Sequence, residues 1–293
     1  MRSLLFVPGD SEKKLERGFA SGADAVIIDL EDSVAQQNKA HARAIAADFI
    51  AARRDATSAA IYVRVNDLAT GMTDDDLRAI IPVSPHGIML PKSNSGADVQ
   101  HLSTKLRVHE AENGLPDGAI RIIPIITETA AGVLSTGTYA GASARLAGLT
   151  WGAEDLSAAI GARAARDDAG RYTDVFRLAR TMTMLGAAAA DTAAIDTVFV
   201  NFRDLDGLRA ECIEAERDGF TAKMAIHPDQ VAVINEAFTP STDAAAHAAA
   251  VVAAFEAAGN PGVVGIGGKM YDRPHLRLAQ RLLERAKAAG LKP

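Results

Sequence analysis

Cysteine is almost missing from this chain: there is one, Cys212, in 293 residues. No disulfide framework can form within it, which suits a reducing compartment and leads us to expect a cytoplasmic protein. Cys212 falls in a helical pattern, LRAECIEAERDGF, and reads as a buried structural thiol, not a nucleophile. Long apolar runs are missing too. The run at 4–7 is too short for the apolar region of a signal peptide, and no stretch nears the roughly 20 apolar residues of a membrane span. The Ala-rich run 244–258 is interrupted by His247 and Glu256 and reads as a packed helix. There is no basic stripe with interleaved aromatics, and the formal net charge is −6, so nucleic acid is not an expected partner. Mild acidity does not exclude an anionic substrate held in a local basic pocket. No glycine pattern follows a strand as a dinucleotide fingerprint or P-loop, and nothing suggests a Ser-His-Asp triad.

What is present is ordinary globular composition, 48% hydrophobic and 23% charged. Eight short apolar runs read as strands: 3–7, 25–30, 61–65, 87–90, 121–126, 146–151, 197–200 and 222–226. Helical spacing fills the gaps at 12–21, 39–54, 74–81, 98–112, 130–138, 172–190 and 205–218. Strands alternating with helices imply right-handed βαβ units and a parallel sheet, and eight of them favour closure into a (β/α)8 barrel. We therefore expect a barrel domain over 1–228. The segment 229–293 is too long for a barrel-closing helix and is expected to form a helical extension, as a lid, a subunit contact or a surface decoration.

Four of the apolar runs end directly in charge: VIIDLED (26–32), IYVRVN (61–66), IIPIITE (122–128) and LTWGAED (149–155). Charged residues at the C-terminal ends of barrel strands mark the active face. Glu128 and Asp155 follow consecutive strands, so their carboxylates come close and repel unless a cation or proton lies between them. Oxygen ligands with open positions suit Mg2+. The alternative is that one caps the following helix and the other pairs with an arginine. Arg64, inside its strand, could stabilise a developing oxyanion or form an ion pair with Asp29 or Glu31. At least one of Asp29, Glu31 and Asp32 is expected to orient a metal-bound water or Arg64. Lys92, after MLP, reads as a solvated lysine before a positive charge at the mouth, and His227 as a loop-stabilising histidine before a catalytic base.

The segments SLLFVPGDSEKKLERG, DAVIIDLEDSV, YVRVN, GIMLPKS, PIITETAAG, LTWGAEDLSAAIGA, KMAIHPDQV and GKMYDRPHLRLAQRLLERA, in this order along essentially the whole chain, resemble the citrate lyase β-subunit-like (CitE-like) proteins. These stand with the malyl-CoA and citramalyl-CoA lyases in the HpcH/HpaI aldolase family. The resemblance implies a TIM barrel with a C-terminal lid, assembled as a homotrimer or hexamer. It implies a lyase that cleaves or forms a 3-hydroxyacyl-CoA, giving acetyl-CoA and a keto acid such as pyruvate or glyoxylate. It assigns the Mg2+ ligands (Mn2+ may substitute) to Glu128 and Asp155, and the oxyanion-binding arginine to Arg64. Asp32 falls near the metal waters, and Glu31 lies beside it. Asp272 matches an aspartate that reaches the neighbouring subunit's site, with the preceding glycines allowing the terminal helix to swing. Coenzyme A phosphates need cations, for which Lys13, Lys14 and Arg17 are candidates, Lys14 first. Citryl-acyl-carrier-protein cleavage, malyl-CoA hydrolysis with a malate synthase-like outcome, and a non-catalytic metal-binding scaffold are the competing readings.

Overall fold

The computed structural model describes residues 1–291 and divides into two compact units, the first Met1–Asn235 and the second beginning at Glu236. The first unit alternates strand and helix. In chain order these are β1 (Ser3–Pro8), α1 (Glu12–Phe19), β2 (Ala25–Asp29), α2 (Lys39–Arg53), β3 (Ala60–Arg64), α3 (Thr73–Ile80), β4 (Gly87–Leu90) and α4 (Gly96–Glu112). There follow β5 (Arg121–Pro124), α5 (Ala130–Leu134), β6 (Gly148–Thr150), α6 (Ala153–Ile160), α7 (Asp174–Ala189), β7 (Ala193–Asp196), α8 (Leu205–Asp218), β8 (Ala222–Ala225) and α9 (Pro228–Ala237), whose last two residues fall in the second unit.

All eight strands are parallel, in the order β5-β4-β3-β2-β1-β8-β7-β6. The two edge strands meet through the bridges Ile122↔Leu146 and Ile125↔Thr150, with the Ile126 N–H bonded to the Thr150 carbonyl at 2.9 Å. The sheet is thus a nearly closed TIM-like barrel. Successive strand residues point to opposite faces. Leu4, Ala25, Ile27, Tyr62, Met89, Ile123, Ile195 and Met224 form one buried cluster, with Phe6 packed on it. The intervening Leu5, Val26, Ile28, Ile61, Val63 and Ile88 are buried as well. Burial on both faces explains why the strands read as continuous apolar runs.

One strand lies elsewhere than the sequence suggests. The β-branched and aromatic run 197–200 lies outside the sheet, and β7 is the preceding Ala-Ala-Ile-Asp. Alanine has low strand propensity, but pairing decides here: Ile195 registers with Ala222 and Asp196 with Lys223. α6 and α9 form as well, outside the helical segments read from the sequence, α6 opened by Glu154 and Asp155 in its first turn.

The second unit contains α10 (Thr242–Ala257), the strands β9 (Val263–Ile266) and β10 (Lys269–Asp272), and α11 (Arg273–Ala288). Val251, Phe255, Val264, Leu276 and Ala279 make its core. Gly267 and Gly268 both have positive φ (55° and 77°) and build the two-residue turn of the β9–β10 hairpin. The glycines read as a hinge therefore include a hairpin turn. No helix of the described residues is long and apolar enough to cross a membrane.

A buried clamp ties the segments that feed β5 and β6. Arg145 bonds both oxygens of Glu110, from α4, at 2.6 Å, and donates to the Ile120 carbonyl. Glu110 also accepts the N–H groups of Gly118 and Ile120. Removing one partner leaves a buried charge unpaired, so Arg145→Ala should cost about 3–5 kcal/mol in urea unfolding. A loss under about 1 kcal/mol would show that water reaches the clamp.

Candidate active site

The carboxyl-terminal ends of the barrel strands surround a cavity of about 440 Å3, lined among others by Phe6, Asp29, Asp32, Arg64, Glu128, Trp151, Asp155 and Met224. Strand register creates its first charged contact. Asp29 and Arg64 are paired positions of β2 and β3, and the guanidinium forks onto Asp29 with two bonds of 2.7 Å. The same guanidinium lies 2.9 Å from Glu31, 3.8 Å from Asp32 and 4.9 Å above the Phe6 ring. Burial pushes the Asp29 carboxyl up, but Arg64 and the N–H of Glu31 outweigh it and hold it below the usual carboxylate range. Arg64 thus makes the ion pairs with Asp29 and Glu31 that the sequence left open. The fork uses two of its five N–H bonds, and the side chain still borders the cavity.

Lys92 is not the solvated lysine expected from sequence. Its ammonium lies 2.5 Å from Glu31, 3.4 Å from Asp155 and 3.5 Å from Asp32. Burial disfavours that charge, yet Glu31, Glu128 and Asp155 hold the ammonium above the ordinary lysine range. Its backbone has φ of 50°, the left-handed region that non-glycine residues seldom occupy, and from there its N–H donates to Glu128 Oε2. Such conformations cost about 1–3 kcal/mol and gather at functional sites. The only sequence signal was a lysine directly after a strand-ending Leu-Pro, which is weak because most lysines are solvated.

Glu128 and Asp155 both border the cavity. Glu128 does not cap α5, because Thr129 does, its hydroxyl accepting the Gly132 N–H at 3.0 Å. Gly152 lies so close to Glu128 that a Cβ there would fall 2.8 Å from Glu128 Cγ, which brings the turn carrying Asp155 against it. Burial first, and then the charge of Asp155, push the Glu128 carboxyl up to about 8. A buried carboxyl so perturbed by a second carboxylate is what a divalent cation would relieve. Among the described residues no set of three His, Cys, Asp or Glu side chains converges to hold a metal. Two carboxylates fit Mg2+ nonetheless, since that ion keeps several waters and takes substrate oxygens.

The remaining candidates lie as follows. Glu31 is buried between Arg64 and Lys92, and its Oε2 takes no hydrogen bond although Arg64 is near. Asp32 is exposed at the cavity wall. Lys13, Lys14 and Arg17 are exposed on α1. His227 stacks on Phe202, with centroids 4.8 Å apart. Asp272, in the second unit, ends β10 and caps α11, with His275 Nδ1 2.5 Å from its carboxylate.

The raised Glu128 carboxyl has a measurable consequence in chelator-treated protein. The unfolded chain ionises Glu128 near pH 4.5 and the folded one near pH 8, so the associated stability is full below pH 4.5 and is lost as pH rises towards 8. Glu128→Gln should therefore match wild type at pH 4.5 and be progressively more stable up to about pH 8, by a few kcal/mol in denaturant titrations. A difference that does not change with pH would contradict this electrostatic description.

The chain matches the HpcH/HpaI aldolase/citrate lyase family over residues 2–228. It is 33% identical to the mitochondrial citramalyl-CoA lyase of Mus musculus, covering 96% of this chain and 85% of that protein. It is 34% identical to a (3S)-malyl-CoA thioesterase of Cereibacter sphaeroides, covering 98% of this chain and 95% of that protein. The crystal structure of CitE from Mycobacterium tuberculosis with magnesium, acetoacetate and coenzyme A superposes with a TM-score of 0.77 at 32% identity, covering 98% of each chain. Barrel topology, strand-end charges and likeness along nearly the whole chain agree, and the chain belongs to the HpcH/HpaI aldolase/citrate lyase family.

Proposed function

We propose that this protein is a Mg2+-dependent carbon–carbon lyase that cleaves or forms a 3-hydroxyacyl-CoA such as citramalyl-CoA or malyl-CoA, with acetyl-CoA and pyruvate or glyoxylate as the other partners. The observation that carries this reading is the buried Glu128 set against the Asp155 turn beside Arg64 in one cavity. It is supported by relatives named for action on citramalyl-CoA and malyl-CoA, and by a neighbour crystallised with magnesium, a keto acid and coenzyme A.

Glu128 and Asp155 would hold the ion, which when bound supplies Lewis-acid polarisation of the substrate hydroxyl and keto-acid oxygens. Cleavage releases the hydroxyl proton to solvent water, turns that C–O bond into a carbonyl and moves the C–C electron pair into an acyl-CoA enolate. Negative charge then develops on the thioester oxygen. Arg64, held by Asp29 and backed by Phe6, has N–H bonds to spare for that oxygen and needs no reorganisation to meet it. Lys92, bonded to Glu31 and 3.4 Å from Asp155, offsets part of the negative charge at the mouth. Asp272, offered by a neighbouring subunit of a homotrimer or hexamer, relays a proton from solvent to the enolate carbon, which becomes the acyl methyl. Lys14, with Lys13 and Arg17, faces the CoA phosphates.

A thioesterase outcome is the second reading, favoured by the likeness to the malyl-CoA thioesterase. Incubation of malyl-CoA or citramalyl-CoA with Mg2+, read by mass spectrometry, separates the two. A lyase gives acetyl-CoA and the keto acid, whereas a thioesterase gives the free hydroxy acid and coenzyme A. Neither set of products from either thioester would contradict both.

Arg64→Ala should lower kcat about 10²–10³-fold, and Asp272→Ala should be similarly inactive. Mixing the two inactive variants under subunit exchange should restore part of the activity through hybrid sites. No recovery in a verified mixed oligomer would contradict the cross-subunit role of Asp272.

A further inference from the structure

Beside the Asp155 turn lies a fully buried carboxylate that the mechanism does not use. Asp196, the last residue of β7, accepts the Trp151 Nε1–H at 2.7 Å and a bond from Lys223 Nζ at 3.0 Å. Arg180 Nε lies 3.3 Å from the oxygen that Trp151 uses. Lys223, the register partner of Asp196 on β8, is itself fully buried and also bonds Glu211 of α8 at 2.8 Å. Desolvating such charges costs several kcal/mol, and well-packed apolar side chains often fill the same volume with equal or greater stability. A charged acceptor adds direction instead, because it fixes where the indole N–H must point.

That direction reaches the site along the chain. Trp151 is fully buried and immediately precedes Gly152, the residue in tight contact with Glu128. Asp155 follows three residues later, in the first turn of α6. An indole that shifts therefore carries with it the turn that sets one carboxylate against the other. We propose that Asp196, held by Lys223, is a positioning residue that acts through Trp151 to fix the spacing of Glu128 and Asp155 for a divalent cation. This rests on the reading that those two carboxylates hold the ion.

Trp151 is the only tryptophan of the chain, so its emission reports on this indole alone, which bonds Asp196 and meets Tyr172 edge-on at 5.0 Å. The test compares wild type with Asp196→Asn and Trp151→Phe, each verified as folded by circular dichroism, using Mn2+ binding read from the paramagnetic signal of the free ion. Outer partners of metal ligands typically contribute about 10–100-fold in affinity, and that is the weakening expected in both variants. Asp196→Asn should also shift the metal-free Trp151 emission, and its activity should return at saturating Mn2+, a defect in ion affinity and not in maximal rate. If Asp196→Asn does not fold, Trp151→Phe decides by the same measure. Folded variants that bind Mn2+ within about two-fold of wild type overturn this inference and leave the Glu128–Asp155 reading standing. A wild-type chain that binds no Mn2+ overturns both.

Discussion

Five carboxylates, Asp29, Glu31, Asp32, Glu128 and Asp155, gather at one end of the barrel around two cations, Arg64 and Lys92. The site depends on how this imbalance is distributed. Arg64 is taken up mainly by Asp29 and Lys92 mainly by Glu31, each at hydrogen-bonding distance. Glu128 is left with a backbone N–H, and Asp155 with a lysine 3.4 Å away. The least compensated carboxylates at the cavity are therefore Glu128, Asp155 and the exposed Asp32. Burial and the charge of Asp155 make the ionised Glu128 costly, a cost that a positive ion in the cavity would relieve.

The backbone enforces the distribution. Parallel pairing puts Asp29 beside Arg64 by register alone. The left-handed Lys92 turns its N–H onto Glu128 while its side chain spans to Glu31. Gly152 permits the turn after β6 to pass against Glu128, where any larger residue would push the carboxylates apart. Strain at Lys92 and the desolvated charges are tolerated because the surrounding barrel, buried on both faces of its strands, over-determines the geometry.

Much of this was legible in the chain. An apolar run that stops at a charge marks a buried strand and its functional end, and that pattern picked out Asp29, Arg64, Glu128 and Asp155. It failed at β7, where Ala-Ala-Ile-Asp carries little strand signal and the following Thr-Val-Phe-Val carries too much. There the partner strands supply the stabilisation, which no local pattern records. Lys92 reads first as solvated and only second as a cation of the mouth, because its contacts are with three carboxylates distant in sequence. The Trp151–Asp196–Lys223 set was invisible for the same reason, since it joins three strands or strand ends that lie far apart in sequence.

The claim that Glu128 and Asp155 together form a cation site is tested most directly by calorimetric titration of Mg2+ into wild type and into the Glu128→Gln/Asp155→Asn double variant. The account predicts one ion per chain in wild type and none in the variant with its fold intact. Stoichiometric binding that survives in the double variant would contradict it.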